Sequence, residues 1–173
     1  MFDKLISIVI VISFIILINI FILDFYMVSS SSMRPFLFKG DQILVNKFSY
    51  SIFGFRYSEI KIGDLVVFEH NREKYIKRVV GIKGQLIQFN QDNVFVDGRS
   101  TRSNEYDHVD SLRIGSLRSI KIKDEVLFLL GDNFHNSIDS REIGLINENQ
   151  VLGEALLVIF NQDKTERIGL IIE

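Results

Sequence analysis

A run of four serines, Ser29 to Ser32, comes just before Met33 and the chain's single proline, Pro35. A serine hydroxyl is a poor nucleophile until a neighbouring base takes its proton. The same run could instead be a solvated tether, because serine-rich segments form flexible linkers. Whether a serine in this run does chemistry therefore depends on which base the rest of the chain can bring to it.

Two kinds of base are available. A Ser-His-Asp triad could use His135 with Asp132 or Asp139, but these residues crowd into one short loop and no G-x-S-x-G turn presents a serine. A lysine base must be neutral, and an ordinary lysine with a pKa near 10.4 is neutral in about one molecule in 2,500 at pH 7. Lowering that pKa to ~8 takes roughly 3 kcal/mol of differential destabilisation, which an apolar pocket can supply. A lysine base therefore needs an element that buries it.

Lys77 is the candidate, because it lies in the β-branched run YIKRVVGI that extends from Tyr75 to Ile82. The period of two residues in a strand places Tyr75, Lys77 and Val79 on one face and Arg78 on the other. A strand lysine with an apolar stem and a solvated tip is the simpler interpretation of an isolated case. The local pattern alone leaves both interpretations open.

Three further segments follow the serine run in order: GDQILVNK from Gly40, GDLVVF ahead of YIKRVVG, and GDNFHNSIDSREIG from Gly131. Behind an apolar amino-terminal segment, this order resembles the type I signal peptidases, the membrane-anchored serine proteases that remove signal peptides from exported proteins. The resemblance covers that segment and residues 28 to 144. It implies an endopeptidase with a Ser/Lys dyad that cuts after small residues, as at an A-x-A site.

The resemblance assigns a role to each motif residue. Ser32, directly before the motif methionine, would be the nucleophile, and Lys77 would be the general base. Ser30 would donate to the oxyanion hole beside the backbone amide of Ser32, and Ser137 would orient the lysine. Met33 would lie near the first substrate pocket, although plain core packing would suit it equally. The supporting polar frame and its ion pairs would consist of Asp132, Asp139, Arg141 and Arg78.

The chain departs from the family pattern at several positions. Ser31 stands where glycine is usual between the motif serines, and Phe36 stands where threonine is usual after the motif proline. Phe134 and His135 replace a common Arg-Asp pair, and Lys83 replaces a frequent proline. The proline usual just before the serines is missing. These departures bear on the oxyanion geometry and the flanking ion pairs, but they leave every proposed catalytic group in place.

The amino-terminal segment from Leu5 to Leu23 runs for 19 residues without a charge. As a helix it would rise roughly 28 Å, close to the hydrocarbon thickness of a bilayer. A cleavable secretory signal is the alternative, but it needs an A-x-A-like site and the only alanine is Ala155. We therefore expect a short cytoplasmic amino terminus at residues 1–4, a transmembrane anchor at 5–24 and an extracytoplasmic peptidase domain at 25–173.

The remainder of the chain is typical of short strands. Segments rich in β-branched and aromatic residues alternate with Gly, Asn or Asp turns, and no helical stripe of 12 residues follows the apolar run. The pattern predicts a mostly β domain, an antiparallel sandwich or barrel, with residues 99–117 as an exposed excursion. The predicted strands are DLVVF (64–68), YIKRVVGI (75–82), QLIQF (85–89), NVFVDG (93–98), SIKIK (119–123), EVLFLL (125–130) and ALLVIF (155–160).

Two segments near the serine run carry further expectations. Pro35 biases Arg34 towards extended backbone, which would suit a protease that binds its substrate as an added strand. The segment Lys47 to Tyr57 alternates aromatic residues, and it could dip into the membrane interface or pack as a core strand. The tail from Arg167 is too short to span a membrane and is expected to be a final strand or a docked end.

Composition limits the partners. With 20 Lys and Arg against 22 Asp and Glu, the chain has a net charge of -2 and lacks the basic excess of a nucleic-acid binder. It has no cysteine, and although EYDHVD (105–110) has metal-ligand residue types, we expect no metal and no cofactor. The expected partners are signal peptides of exported preproteins and membrane lipid, with the protein translocation machinery as a further candidate.

Three alternatives to a general signal peptidase stay open. A specialised maturation peptidase of a secretion or conjugation system would share the chemistry but cut a narrow set of substrates. A non-catalytic membrane-anchored β domain would hold peptides, although it has no evident reason to keep Ser32, Lys77 and Ser137 together. A soluble self-cleaving repressor-like protease also uses Ser-Lys chemistry, but the apolar run and the missing DNA-binding region argue against it.

Overall fold

A computed structural model describes residues 2–52, 55–56, 58–101 and 117–172. Within these ranges the chain forms a long amino-terminal helix, short antiparallel strands and one further short helix. The helices are α1 (Phe2–Phe21) and α2 (Ser140–Ile143), and single 3₁₀ turns lie at Glu148–Gln150 and Thr165–Arg167. The strands are β1 (Leu23–Met27), β2 (Gln42–Asn46), β3 (Ser51–Ile52), β4 (Phe55–Arg56), β5 (Leu65–His70), β6 (Glu73–Gly81), β7 (Leu86–Phe89), β8 (Val94–Val96), β9 (Arg99–Ser100), β10 (Arg118–Lys121), β11 (Val126–Leu130), β12 (Ile146–Asn147) and β13 (Val151–Phe160).

The described strands form two sheets and a ribbon. The large sheet has seven strands in the order β1-β2-β13-β5-β6-β11-β12, the small sheet has the order β10-β7-β8-β9, and β3 pairs with β4. Each described pairing is antiparallel, which confirms the mostly antiparallel β fold predicted from the sequence. Strand β6 is held on both sides, because Lys77 is paired with Val66 of β5 and Arg78 with Leu130 of β11.

The first four residues of strand β5, residues 65–68, form a continuous apolar run because both faces of the strand are buried there. Leu65 and Val67 join one core cluster, which also contains residues of β2 and β13. Val66 and Phe68 join a second cluster on the other face. A third cluster packs the small sheet against β6 and β11, so that the two sheets meet face to face.

All seven predicted strands are present, with ends that differ by a few residues. Sequence analysis predicted no strand at β1, which follows the apolar run, at β2, which lies within GDQILVNK, or at the short strands β9 and β12. For the segment that contains β3 and β4, a strand was one of two interpretations. An uncharged run in which nearly every residue is apolar has no period that shows where its helix ends. The sheet therefore begins at Leu23, two residues before the expected domain boundary at residue 25.

The amino-terminal helix α1 carries exposed apolar side chains, among them Leu5, Ile10 and Phe14, each more than half exposed. Within the part of the chain that the structure describes, no helix has both the length and the apolar character that crossing a membrane requires. The single transmembrane helix expected over residues 5–24 is therefore not found. The helix ends at Phe21, so the last residues of the apolar run are not helical.

Other expectations have mixed outcomes. Within the segment Lys47–Tyr57, Tyr50 is buried and its hydroxyl donates to Asp64 at 2.7 Å, which matches core packing at that residue. The tail is a docked end, since Ile171 forms a bridge with Leu157. The candidate metal segment 105–110 and most of the expected excursion lie outside the described residues.

Candidate active site

Ser32 and Lys77 meet in the folded chain. The Lys77 Nζ donates a hydrogen bond of 2.7 Å to the Ser32 Oγ, between residues 45 positions apart in the sequence. Lys77 is 3% exposed and Ser32 is 8% exposed. The serine run is therefore not a solvated tether, because its last member is buried against an amine.

Strand β6 places Lys77 among apolar side chains. Its partner on β5 is Val66, which is fully buried. Tyr75 and Val79, two positions to either side, pack with Val66 in the second core cluster, while Arg78 points away. The alternation predicted for β6 thus gives Lys77 its desolvated environment.

Burial lowers the pKa of Lys77 from 10.5 to about 8, against the opposing attraction of the Asp139 and Asp132 carboxylates. The amine has one further hydrogen bond, to the carbonyl oxygen of Ile76 at 3.1 Å. With a pKa of about 8, about one molecule in ten has a neutral Lys77 at pH 7. That fraction is large enough for the amine to act as a base.

Ser30 lies directly beside Ser32. Its Oγ is 3.1 Å from the Ser32 Oγ, and the Ser32 backbone amide donates to it at 3.5 Å. Among the residues that the structure describes, the Ser32 amide has no shorter hydrogen bond. The resemblance implies two oxyanion donors, the Ser30 hydroxyl and the Ser32 amide, and both lie next to the Ser32 hydroxyl. The hydrogen bond between these two donors is long, at 3.5 Å.

The backbone around the nucleophile is turned rather than extended. Residues 32–36 form successive turns, and the amide of Leu37 donates to the carbonyl of Met33 at 2.8 Å. The segment that follows Ser32 is therefore a series of turns and not a strand, while the extended bias expected at Arg34 itself stays a prediction. The turns bury Met33 at the edge of the first core cluster.

A cleft of about 200 Å³ opens beside the dyad. Met33 contributes to its wall and also belongs to the first core cluster, so core packing is confirmed and its role in a substrate pocket stays a prediction. Larger cavities of about 570 and 740 Å³ lie elsewhere and do not include the dyad. Residues that line the small cleft include Tyr26, Met27, Ser30, Met33, Tyr75 and Lys77.

Ser137 does not form the contact implied for it. Its Oγ is buried and has no hydrogen-bond partner among the described residues, so it does not orient Lys77 in this structure. It packs against the backbone of Gly131, where an added β-carbon would also come within 2.6 Å of the Ser32 carbonyl oxygen. Ser137 and Ser32 therefore border the same glycine, and no hydrogen bond joins Ser137 to Lys77.

The Arg78 guanidinium holds Asp132 in a two-pronged ion pair, with its Nε and Nη2 both 2.9 Å from the carboxylate oxygens. Its remaining nitrogen donates to the carbonyl of Gly63 at 2.8 Å. The ring of Phe36 lies 5.0 Å from this guanidinium. This departure from the family pattern thus adds a cation–π contact to the expected ion pair.

Asp139 and Arg141 form a second pair. Arg141 donates to Asp139 through Nε and Nη2 at 2.8 Å each, and the fully buried carboxylate also accepts from the Gly131 amide at 3.1 Å. The guanidinium lies 3.8 Å from the centre of the Phe134 ring. His135 is exposed, and since Asp139 and Asp132 are both engaged by arginines, the alternative histidine triad does not form.

Two asparagines that sequence analysis did not single out tie this loop to the nucleophile. The Asn133 amide donates to the carbonyl of Ser32 at 2.9 Å, and its side chain donates to the carbonyl of Ser31 at 3.0 Å. The side chain of Asn136 donates to the Ser31 Oγ at 2.9 Å. Ser31, in place of the usual glycine, therefore adds an acceptor. The signal was present, since both asparagines lie inside GDNFHNS.

The family model and the relatives compared by sequence indicate one family. The family model described as signal peptidase, peptidase S26, matches residues 1–160. Signal peptidase I P of Bacillus subtilis subsp. natto is 34% identical over 169 residues, which cover 91% of this chain and 88% of that protein. Signal peptidase I T of Bacillus subtilis strain 168 is 32% identical over 164 residues, or 89% of this chain and 82% of that protein. A signal peptidase I crystal structure from Enterococcus faecalis aligns with a TM-score of 0.42 and 21% identity, covering 56% of this chain and 97% of that one.

Proposed function

Since the chain belongs to the signal peptidase family, peptidase S26, and is a serine endopeptidase that removes signal peptides from preproteins, we propose that Ser32 and Lys77 are its catalytic dyad. The observation that carries this proposal is the 2.7 Å hydrogen bond between two buried side chains. The alternative of a non-catalytic peptide-binding domain is set aside by the family membership. Nothing in the site favours a specialised maturation peptidase over a general one.

The proposed reaction starts from the neutral amine of Lys77. It takes the proton of the Ser32 hydroxyl, and the oxygen attacks the scissile carbonyl to form a tetrahedral intermediate. The Ser32 amide and the Ser30 hydroxyl stabilise the developing oxyanion. Lys77 then protonates the departing amine, and the same lysine deprotonates the water that hydrolyses the acyl-enzyme.

The two ion pairs support the base through their charge. The Asp139 and Asp132 carboxylates raise the pKa of Lys77, which works against a neutral amine. Pairing each carboxylate with an arginine weakens this attraction, because the opposite charges partly cancel at the position of the amine. We therefore assign Arg78 and Arg141 the role of weakening the electrostatic stabilisation that the two carboxylates give to the Lys77 ammonium.

Substrate residues before the cut are proposed to enter the cleft of about 200 Å³ beside Ser32. The proposed preference for small residues there, as in an A-x-A site, comes from the family and not from the volume of the cleft. Ser137 is proposed to orient Lys77 only after a rearrangement that brings its Oγ to the amine.

Location at a membrane is also part of the proposal. Phe25 and Met27 of β1 are more than half exposed and follow α1 directly, and Met27 also lines the cleft. We infer that α1 and these side chains contact lipid, with residues 25–173 on the extracytoplasmic side, where preproteins arrive. The protein translocation machinery is a proposed neighbour because it delivers those preproteins.

A cleavage assay tests the dyad. Purified protein in detergent is expected to cut a preprotein once after its small-residue site, and Ser32→Ala and Lys77→Ala are each expected to abolish cutting. Ser119→Ala and Lys121→Ala are the matched controls, because both residues are exposed on β10. Retained cutting by either dyad variant would defeat the assignment. Mass spectrometry of the products locates the cut, and cutting after large residues would contradict the proposed pocket.

A further inference from the structure

The nucleophile lies in a closed loop, residues 28–41, which we call the nucleophile loop. The Val28 amide donates to the Asp41 carbonyl at 2.8 Å, and the Gly40 amide donates to the Val28 carbonyl at 2.9 Å. Asp41, at the closing end, is a fully buried carboxylate. A buried charge is tolerated only where it is paired and hydrogen-bonded, so the partners of Asp41 show what holds the loop.

These partners come from the carboxyl-terminal segment. Arg167 donates to the Asp41 carboxylate through Nη2 at 2.7 Å and through Nε at 3.0 and 3.1 Å. The side-chain amide of Asn161 donates to the same carboxylate, and the amide of Phe38 donates to it at 2.9 Å within the loop. The two outside partners follow the loop by 120 and 126 positions in the sequence.

Arg167 also reaches the middle of the loop. Its Nη2 donates to the carbonyl of Phe36 at 2.7 Å, four residues after Ser32. Its guanidinium lies 4.5 Å from the centre of the Phe38 ring. One side chain therefore fixes the closing end of the loop and its centre at the same time.

Asn161 prepares the segment that presents this arginine. Its Oδ1 accepts hydrogen bonds of 2.9 Å from the amides of Asp163 and Lys164, which shape the turn ahead of the 3₁₀ turn Thr165–Arg167. Its Nδ2 contacts Asp41 from the other side. The amide thus connects the shape of the tail to the buried carboxylate.

The distance between the dyad atoms depends on two separate supports. Strand β6, in the interior of the large sheet, fixes Lys77, whereas the nucleophile loop fixes Ser32. We propose that Arg167, together with Asp41 and Asn161, positions the nucleophile loop so that the Ser32 hydroxyl reaches the Lys77 amine during cleavage. This inference rests on the proposed function, since it requires Ser32 to be the nucleophile.

The test compares Arg167→Ala, Arg167→Lys and the control Glu166→Gln, an exposed neighbour in the same turn. The concentration of active sites in each variant is measured by end-point labelling with a serine-directed acylating probe. The value of kcat is then calculated per labelled site. Arg167→Ala is expected to lower kcat about 10- to 100-fold with KM within about twofold, because a small misplacement slows the chemical step. Arg167→Lys keeps the charge but lacks the fork that reaches Phe36, so its kcat is expected to be intermediate. Glu166→Gln is expected to match the unmodified protein.

The outcomes separate this inference from the proposed function. Cutting by Ser32→Ala would mean that the nucleophile is misassigned. An inactive Ser32→Ala together with an unchanged kcat per site in Arg167→Ala would overturn the positioning role alone. Arg167→Ala could fold too poorly to be labelled by the probe. In that case Arg167→Lys is the test, and a kcat per labelled site equal to that of the unmodified protein would overturn the positioning role.

Discussion

Lys77 stands between two opposing influences at the scale of single residues. Burial disfavours its ammonium, the Asp139 and Asp132 carboxylates favour it, and the net result is a pKa lowered to about 8. The sequence could indicate the burial, because strand alternation places Lys77 on the same face as Val79. It could not indicate the balance, because the arginine partners of the carboxylates are set by side-chain geometry.

The first prediction concerns pH. A base must be deprotonated, so kcat should be low below the pKa, rise as the pH passes through about 8 and level off above it. Steady-state cleavage of a peptide substrate between pH 6 and pH 10 measures this profile. A kcat that is the same at pH 7 and pH 9 would show that no group titrating near 8 limits the chemistry.

The second prediction concerns stability. Lys77→Met keeps the volume of the side chain but removes a buried amine whose pKa is depressed on folding. At pH 7 the unfolded lysine binds a proton more tightly than the folded one, so folding carries a penalty that the variant lacks. The variant is expected to be about 2 kcal/mol more stable at pH 7, after allowing for the partner that Ser32 loses, while it cuts nothing.

The pH dependence separates this effect from ordinary core packing. The penalty on the unmodified protein is full below pH 8 and disappears as the pH rises past the unfolded pKa of about 10.4. Urea unfolding at pH 7 and pH 10 should therefore show the stability advantage of Lys77→Met shrinking. An advantage that is equal at both values would point to packing alone.

Close approach between elements decides whether the site can assemble. The chain after β11 passes the nucleophile at Gly131, where an added β-carbon would meet the side chain of Ser137 and the carbonyl oxygen of Ser32. We predict that Gly131→Ala destabilises the fold by about 1 to 3 kcal/mol and lowers kcat per active site at least tenfold, because it separates two elements that must touch. Thermal unfolding and active-site-titrated kinetics measure the two effects.

Gly153 supplies the matched control. A β-carbon there would lie 2.5 Å from the carbonyl oxygen of Asn46, so Gly153→Ala should also be destabilising. Since Gly153 lies on β13 rather than at the dyad, its kcat per active site should be unchanged. If Gly131→Ala and Gly153→Ala lowered kcat per active site by the same factor, the effect at Gly131 would come from general destabilisation of the fold and not from its position beside Ser32.

The strands and turns differed in how clearly the sequence predicted them. Strands β5 and β6 were predicted because β-branched runs bounded by turn residues have few other interpretations. Strand β1 was missed because it continues an apolar run that begins in α1. The turns at residues 32–36 were not predicted, because the hydrogen bond from the Leu37 amide to the Met33 carbonyl leaves no recognisable pattern in the sequence.

At the scale of the whole molecule, contacts between distant positions explain what sequence analysis could not find. The Ser32–Lys77 pair was predicted because both residues carry recognisable motifs. The Asp41–Arg167 pair spans 126 positions without any local pattern, so only the folded chain reveals it. The contact of Ser137 with Lys77 was implied by resemblance, and its absence among the described contacts shows that a shared motif does not fix a hydrogen bond.

The last prediction separates attachment from catalysis. The three core clusters of the described residues draw their members from the sheets and the loops between them, so removal of residues 2–21 should leave the β domain folded. We expect the truncated protein to cut a short soluble peptide with kcat within about threefold of the full chain, because a folded dyad needs no lipid. The same protein should fail to float with phospholipid vesicles, whereas the full chain floats, because eight exposed large apolar side chains of the described residues lie together on α1. If the truncated protein floated, the lipid contact would lie at Phe25 and Met27 on β1 and not on α1. If the truncated protein no longer cut the peptide, α1 would be needed for the structure of the site itself.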